Sequence, residues 1–124
     1  MRILIADDVP VNLKLLDLFC QRAGYATECV HDGAAAVEAV SRGGFDVVLM
    51  DIMMPEMNGI EATKRIRLLP EPLCKVKIIA VTANASHENR QACMAAGVDA
   101  FMPKPIRPDE LSHRISELTE RIGF

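Results

Sequence analysis

Two adjacent aspartates (Asp7 and Asp8), a third (Asp51), a threonine (Thr82) and a lysine (Lys104) each follow a short apolar run in this 124-residue chain. Carboxylates, a hydroxyl and an ammonium are groups that hold a hard cation and a phosphoryl group. Three carboxylates brought within a few ångströms repel, so either some protonate or a cation joins them. Mg²⁺ fits such a cluster, since it takes one or two carboxylates, keeps waters and prefers phosphate oxygens as further ligands. Thr82 and Lys104 would then hold the remaining phosphoryl oxygens. A carboxylate beside the ion can itself attack phosphorus and become an aspartyl phosphate. Taken singly, each residue has a plainer reading, because an Asp at a strand end often caps the next helix. What matters is whether the fold gathers them.

The apolar runs supply that fold. Val47–Met50 is short, continuous and β-branched at its start, as in a strand buried on both faces of a parallel sheet, and Asp51 ends it. Arg2–Ala6 is a first strand ending at Asp7 and Asp8, and Pro10 suits the first turn of a helix running to about Ala23, stopped by Gly24. Tyr25–Val30 alternates polar and apolar residues as an edge strand does, and Asp32 is placed to cap an Ala-rich helix over Ala34–Arg42. After Asp51, Pro55 and Asn58-Gly59 break the chain before a helix over Asn58–Leu69. Lys77–Thr82 is the fourth strand, and Ser86 caps a polar, weakly amphipathic helix running to Ala96, stopped by Gly97. Asp99–Met102 is the fifth strand, followed by Pro103-Lys104-Pro105. A last helix starts near Pro108, with Leu111, Ile115, Leu118 and Ile122 on one face. Five strands alternating with five helices give right-handed βαβ units and a doubly wound parallel sheet, with every strand's carboxyl end on one edge. Asp7, Asp8, Asp51, Thr82 and Lys104 then meet there.

Composition bounds the alternatives. The length gives one domain over residues 1–124, and the chain opens on a strand, so no segment is expected ahead of the fold. With 50% hydrophobic and 25% charged residues it reads as globular, and a net charge of −3 favours neither nucleic acid nor an anionic membrane. No signal peptide and no run of transmembrane length occurs. Cys20, Cys29, Cys74 and Cys93 are scattered without metal-binding spacing, as in reduced cytosolic thiols, and His31, His87 and His113 fall in a turn or on polar helix faces. The absence of G-x-G-x-x-G and G-x-x-x-x-G-K-[ST] removes dinucleotide and P-loop readings.

Four segments carry a resemblance across essentially the whole chain: Ile5-Ala6-Asp7-Asp8, the stretch from Val48 to Gly59, Ile79-Ala80-Val81-Thr82-Ala83 and Phe101-Met102-Pro103-Lys104-Pro105. Together they resemble the response-regulator receiver domain. The resemblance implies a flavodoxin-like (βα)5 fold with strand order 2-1-3-4-5. It implies that Asp51 accepts a phosphoryl group from a phosphohistidine of a histidine kinase or histidine phosphotransfer protein. It further implies that Asp8 and Asp51 hold Mg²⁺ directly with the Met53 carbonyl, that Asp7 acts largely through water, and that Thr82 and Lys104 bind the phosphoryl oxygens. Thr82 and Phe101 occupy the switch positions, Phe101 where the family often has Tyr, and Lys104-Pro105 matches a bond usually cis. Such a domain is a cytoplasmic monomer or weak dimer that catalyses its own phosphorylation and dephosphorylation and is not otherwise an enzyme.

Asp8-Val9-Pro10-Val11-Asn12 is similar to receivers of hybrid sensor kinases or phosphorelays, which often meet a helical phosphodonor over the first helix. That helix is apolar around more than half its circumference. On a helical wheel Leu15, Leu16 and Phe19 lie mid-arc, with Leu13 and Leu18 at opposite margins, one of them exposed. Three rival readings are weaker. A haloacid-dehalogenase-type phosphatase would want an acid where Met53 stands, and a flavodoxin-like FMN binder would want a Ser/Thr/Gly-rich loop in place of Asp7-Asp8-Val9-Pro10. A degenerate docking-only receiver would not keep the complete acidic set.

Overall fold

In the computed structural model, residues 1–120 are described. The strands are β1 (Arg2–Ala6), β2 (Ala26–Val30), β3 (Val47–Asp51), β4 (Lys77–Thr82) and β5 (Ala100–Pro103). The helices are α1 (Pro10–Arg22), α2 (Gly33–Ser41), α3 (Gly59–Arg67), α4 (His87–Ala96) and α5 (Pro108–Glu120), with a short 3-10 turn at Leu73–Lys75. All pairings are parallel, in the order β2-β1-β3-β4-β5. That is the doubly wound, flavodoxin-like order that the resemblance implies. Ile122, expected to extend the apolar face of α5, lies outside the described residues.

Alternation along each strand divides the core into two layers. Leu4, Val48, Met50, Ile78 and Ala80 face one way, against Ala36, Ala39 and Val40 of α2, Ala62 and Ile66 of α3 and Cys93 of α4. Ile3, Ile5, Val47, Leu49 and Ile79 face the other, against Leu13, Leu16 and Cys20 of α1 and Leu111 and Ile115 of α5. Val47–Met50 are all fully buried, which explains why β3 reads as an unbroken apolar run.

Helix starts follow local chemistry. Asp32 accepts from the Ala35 N–H at 2.7 Å, Asn58 from Glu61 at 2.9 Å, and Ser86 from Asn89 at 3.2 Å. No side chain caps α1, where Pro10 fills the first turn and the Val9 N–H donates to Asp7 Oδ1 at 2.9 Å. Gly97 ends α4 in the left-handed region, with φ 111°. All four cysteines are free, and burial pushes the Cys20 thiol up to about 12.

The start of the fifth strand and the packing of α1 differ from expectation for physical reasons. The fifth strand starts at Ala100 because Asp99 has other partners. Its N–H donates to the Ile78 carbonyl, and its carboxylate accepts the Ile78 N–H and the Arg67 guanidinium. Leu15, expected mid-arc on α1, is 47% exposed, because the buried line of that helix runs through Leu13, Leu16 and Cys20. Leu18 is the exposed margin and Leu13 the buried one.

Candidate functional site

Register puts the chemistry on one edge. Ala6 pairs with Met50, so Asp7 and Asp8 leave β1 beside Asp51 at the end of β3. Asp51 pairs with Val81, and the next residue, Thr82, pairs with Pro103, after which comes Lys104. The Lys104 N–H donates to the Thr82 carbonyl at 2.8 Å, carrying the lysine back over the strand ends. All five expected residues therefore gather at the carboxyl edge of the sheet.

One carboxylate oxygen from each of Asp7, Asp8 and Asp51 lies within 4.8 Å of the others. Asp7 is fully buried and Asp51 nearly so. Among the described residues the cation beside them is Lys104, whose Nζ lies 3.2 Å from Asp7 Oδ2 and 3.7 Å from Asp51 Oδ2. The other Asp51 oxygen, Oδ1, accepts the Met53 N–H at 3.2 Å. Burial and the neighbouring Asp7 carboxylate push Asp51 up to about 6, against the opposing pull of Lys104 and the Met53 N–H. Asp8 Oδ1 is buried and has no hydrogen-bond partner. A buried anionic oxygen without a donor is costly and marks a place for a cation. The donor set, all hard oxygens, suits Mg²⁺.

Thr82 is fully buried, and its hydroxyl oxygen accepts the Asn84 N–H at 3.1 Å, leaving its own proton free to donate. The Met53 side chain is 62% exposed at the rim. Phe101 is buried against the α2–α4 layer, with the Arg90 guanidinium carbon 5.0 Å from its ring centroid. Lys104-Pro105 is cis. Gly59, the first residue of α3, lies so close to the Asp51 carbonyl that a Cβ there would come within 2.3 Å of that oxygen. His31, His87 and His113 are all exposed, and His31 directly follows Val30, whose carbonyl accepts the Asp7 N–H.

Asn84 and Arg90 were missed by sequence reasoning. Asn84 acts through its backbone N–H, which carries no side-chain signal, and Arg90 reads as one more charge on a solvated helix.

Beside the acidic edge runs a groove of about 360 Å³, with Leu15, Leu16 and Phe19 of α1 on one wall and Lys104, Pro105 and Ile106 on the other. Val11, Leu15 and Leu18, spaced four and three apart, expose an apolar row on the same helix. No helix among the described residues is long and apolar enough to cross a membrane.

Comparison with known proteins agrees with this geometry. The response regulator receiver domain profile matches residues 3–116. The chain is 38% identical over 120 residues to hybrid signal transduction histidine kinase B of Dictyostelium discoideum, covering 89% of this chain and 6% of that protein. It is 37% identical over 122 residues to the sensor histidine kinase RcsC of Escherichia coli, covering 98% of this chain and 12% of that kinase. The chain thus spans only a small part of the curated relatives it matches.

Among solved structures, the receiver domain of the Pseudomonas aeruginosa sensor histidine kinase PA1611 superimposes with a TM-score of 0.88 at 35% identity, covering 94% of both chains. That structure has a magnesium ion coordinated in its active site cleft. Vibrio cholerae chemotaxis protein CheY4 gives a TM-score of 0.86 at 29% identity, covering 94% of this chain and 96% of that one. A profile match over nearly the whole chain, the shared fold and kinase-borne relatives all agree: this chain belongs to the response regulator receiver domain family of two-component signalling.

Proposed function

We propose that residues 1–124 form one receiver domain in which Asp51 is the phosphoacceptor. The observation that carries this reading is the cluster itself: three carboxylates within 4.8 Å, Lys104 between two of them, and an unpartnered oxygen on the third. An Asp51 carboxylate oxygen attacks phosphorus in line with the donor's phosphohistidine. The new O–P bond forms as the N–P bond breaks, and the leaving imidazole takes the electron pair and then a proton. A carboxylate pushed up to about 6 is mostly ionised at neutral pH yet more basic than an ordinary one, which favours attack. Lys104 Nζ and the Thr82 hydroxyl would each hold a phosphoryl oxygen. Asp8 and Asp51, with the Met53 carbonyl, would hold Mg²⁺ directly, and Asp7 would act through water. Once bound, the ion supplies charge neutralisation for the carboxylates and the phosphoryl oxygens.

The same groups would admit a water for dephosphorylation, so the domain catalyses its own phosphorylation and dephosphorylation and turns over no other substrate. The donor would be a histidine kinase or histidine phosphotransfer protein in the cytoplasm, docking as a helical surface over Val11, Leu15 and Leu18. Thr82, drawn toward the phosphoryl group, and Phe101, repacking behind it, would be the switch. Incubation with Mg²⁺ and acetyl phosphate should add one acid-stable, base-labile phosphoryl group that Asp51→Asn abolishes. Phosphate on Ser, Thr or His instead would overturn the assignment.

A further inference from the structure

The turn between β2 and α2 touches both halves of the acidic site. On one side the Asp7 N–H donates to the Val30 carbonyl at 3.2 Å, which ties the end of β1 to the end of β2. On the other, Gly33 opens α2 against the loop that leaves Asp51. Gly33 is buried, and a Cβ built on it would fall far inside van der Waals contact with the Met57 carbonyl oxygen and 3.0 Å from Met57 Cγ. The close approach of α2 to this loop therefore needs a residue without a side chain.

The two sides of that contact are unequally held. α2 is fixed, since Asp32 caps it through the Ala35 N–H at 2.7 Å and Ala36, Ala39 and Val40 are buried in the core. In the loop, Ile52 and Met54 are buried, but Met53, Pro55 and Glu56 are exposed. Glu56 also stands in the left-handed region, with φ 63°. A residue with a side chain stays there only where its surroundings hold it, because that conformation is unfavourable by itself. The loop thus takes its shape from its contacts, and Gly33 against Met57 is among the closest of them.

We propose that Gly33 is a positioning residue for the metal site: its lack of a side chain lets α2 seat Met57, which fixes where the loop holds the Met53 carbonyl relative to Asp8 and Asp51. This rests on the reading that this carbonyl is a Mg²⁺ ligand. A Cβ at position 33 must displace backbone rather than the end of a flexible side chain, and the side with fewer buried anchors gives way. The shift is taken up along the exposed residues from Met53 to Glu56. The Met53 N–H then loses part of its 3.2 Å bond to Asp51 Oδ1, and the carbonyl of the same residue moves with it. Mg²⁺ demands near-ideal octahedral geometry, so a small displacement of one ligand lowers affinity. Through Val30 the same turn also holds Asp7, so the edge strand sets the spacing between the β1 and β3 sides of the site.

Groups that orient a metal ligand are worth about tenfold or more in metal affinity. Gly33→Ala should therefore weaken Mg²⁺ about tenfold in a calorimetric titration and raise by the same factor the Mg²⁺ concentration that half-saturates acetyl phosphate labelling. The labelling rate at saturating Mg²⁺ should stay near the parent's. In EDTA the Met53 amide of the variant should exchange several-fold faster than the parent's, a readout that needs no metal. Ile78→Val, which opens a small cavity in the same core layer at the start of β4, lowers stability without touching the turn and should leave all these readouts as in the parent. Met57→Ala, which takes away the packing beside Gly33 and adds no atom, should weaken Mg²⁺ by about threefold. Parent-like affinity in Gly33→Ala, or in Met57→Ala where the first does not fold, overturns the proposal, as does equal weakening by Ile78→Val. A parent that binds no Mg²⁺ overturns the metal reading instead, and a Met53 amide that exchanges no faster in the EDTA-treated variant overturns the positioning role.

Discussion

Removing the Asp51 charge should stabilise the metal-free protein. The Asp51 side chain is only 5% exposed, and its carboxyl is pushed from 3.8 to about 6 by burial and by Asp7. A shift of roughly 2 units at about 1.4 kcal/mol each makes the ionised form cost about 3 kcal/mol of folding stability at neutral pH. The sign follows from proton binding. A folded-state value above the unfolded one means the native protein still holds the proton where the unfolded chain has released it. Stability therefore falls as pH rises from about 4 through about 6 and is lowest above that. The amide that replaces the carboxylate in Asp51→Asn would carry no charge, though it would give up the 3.7 Å approach to Lys104 and would itself need buried partners.

The expected net gain for Asp51→Asn is about 1–3 kcal/mol at pH 7, roughly 4 °C in Tm per kcal/mol for a domain of this size. Urea unfolding in EDTA, followed by circular dichroism at pH 7 and pH 4.5, measures it. The variant should be the more stable at pH 7, and the gap should narrow at pH 4.5. Mg²⁺ should raise the parent's stability and close the gap from the other side, because an ion that binds the native state stabilises it by linkage. A variant less stable than the parent at pH 7 in EDTA, or a gap that does not change with pH, would refute the argument that repulsion and burial dominate this site.

Other consequences are as direct. Asp8→Ala should weaken Mg²⁺ binding in a calorimetric titration more than Asp7→Ala, because Asp8 Oδ1 is the unpartnered oxygen while Asp7 already has Lys104 and the Val9 N–H. Two variants that bind like the parent would rule out this metal site. Leu18→Asp, on the 44% exposed margin of α1, should slow phosphotransfer from a protein donor about tenfold while acetyl phosphate labelling is kept. Equal slowing with both donors would make Leu18 structural. Gly59→Ala should cost about 2–3 kcal/mol and slow labelling, since its Cβ would come within 2.3 Å of the Asp51 carbonyl and force the strand end aside. A variant with the parent's Tm and labelling rate would contradict that.

How much of this was legible in the sequence depends on which force placed each residue. The sequence of strands and helices and the gathering of Asp7, Asp8, Asp51, Thr82 and Lys104 at one sheet edge follow from hydrophobic periodicity and the right-handed crossover, which act along the chain, whereas the spatial strand order came only with the resemblance to receiver domains. Leu15 was misread because a helical wheel gives the width of an apolar arc but not the line on which it meets the sheet. That line runs through Leu13, Leu16 and Cys20, and is set by contact with strands and α5 far away in sequence. The bonds of Arg67 were invisible for a related reason. An Arg at the end of a helix reads as a favourable charge on the helix dipole. Its real partners are carbonyls at positions 74, 76 and 97 and the Asp99 carboxylate, groups whose approach depends on the whole β4–β5 edge.

The site straddles a mechanical boundary in the sheet. Asp7, Asp8 and Asp51 leave β1 and β3, whose residues from Ile3 to Ala6 and Val47 to Met50 are essentially without solvent exposure and are packed by helices on both sides. Their mutual repulsion cannot relax by splaying, because moving either strand end would open a close-packed core at a cost comparable to the repulsion itself. A cation bound among them would relieve that repulsion. Thr82 and Lys104 come instead from β4 and the edge strand β5, beside a stretch from Ala83 to Glu88 that is exposed throughout. β4 itself is as buried as β1 and β3, so it is the exposed Ala83–Glu88 stretch, with few buried contacts to oppose movement, where local opening is cheap. If Asp51 takes a phosphoryl group, as proposed, the displacement it causes should fall on the exposed stretch before α4 rather than on α1.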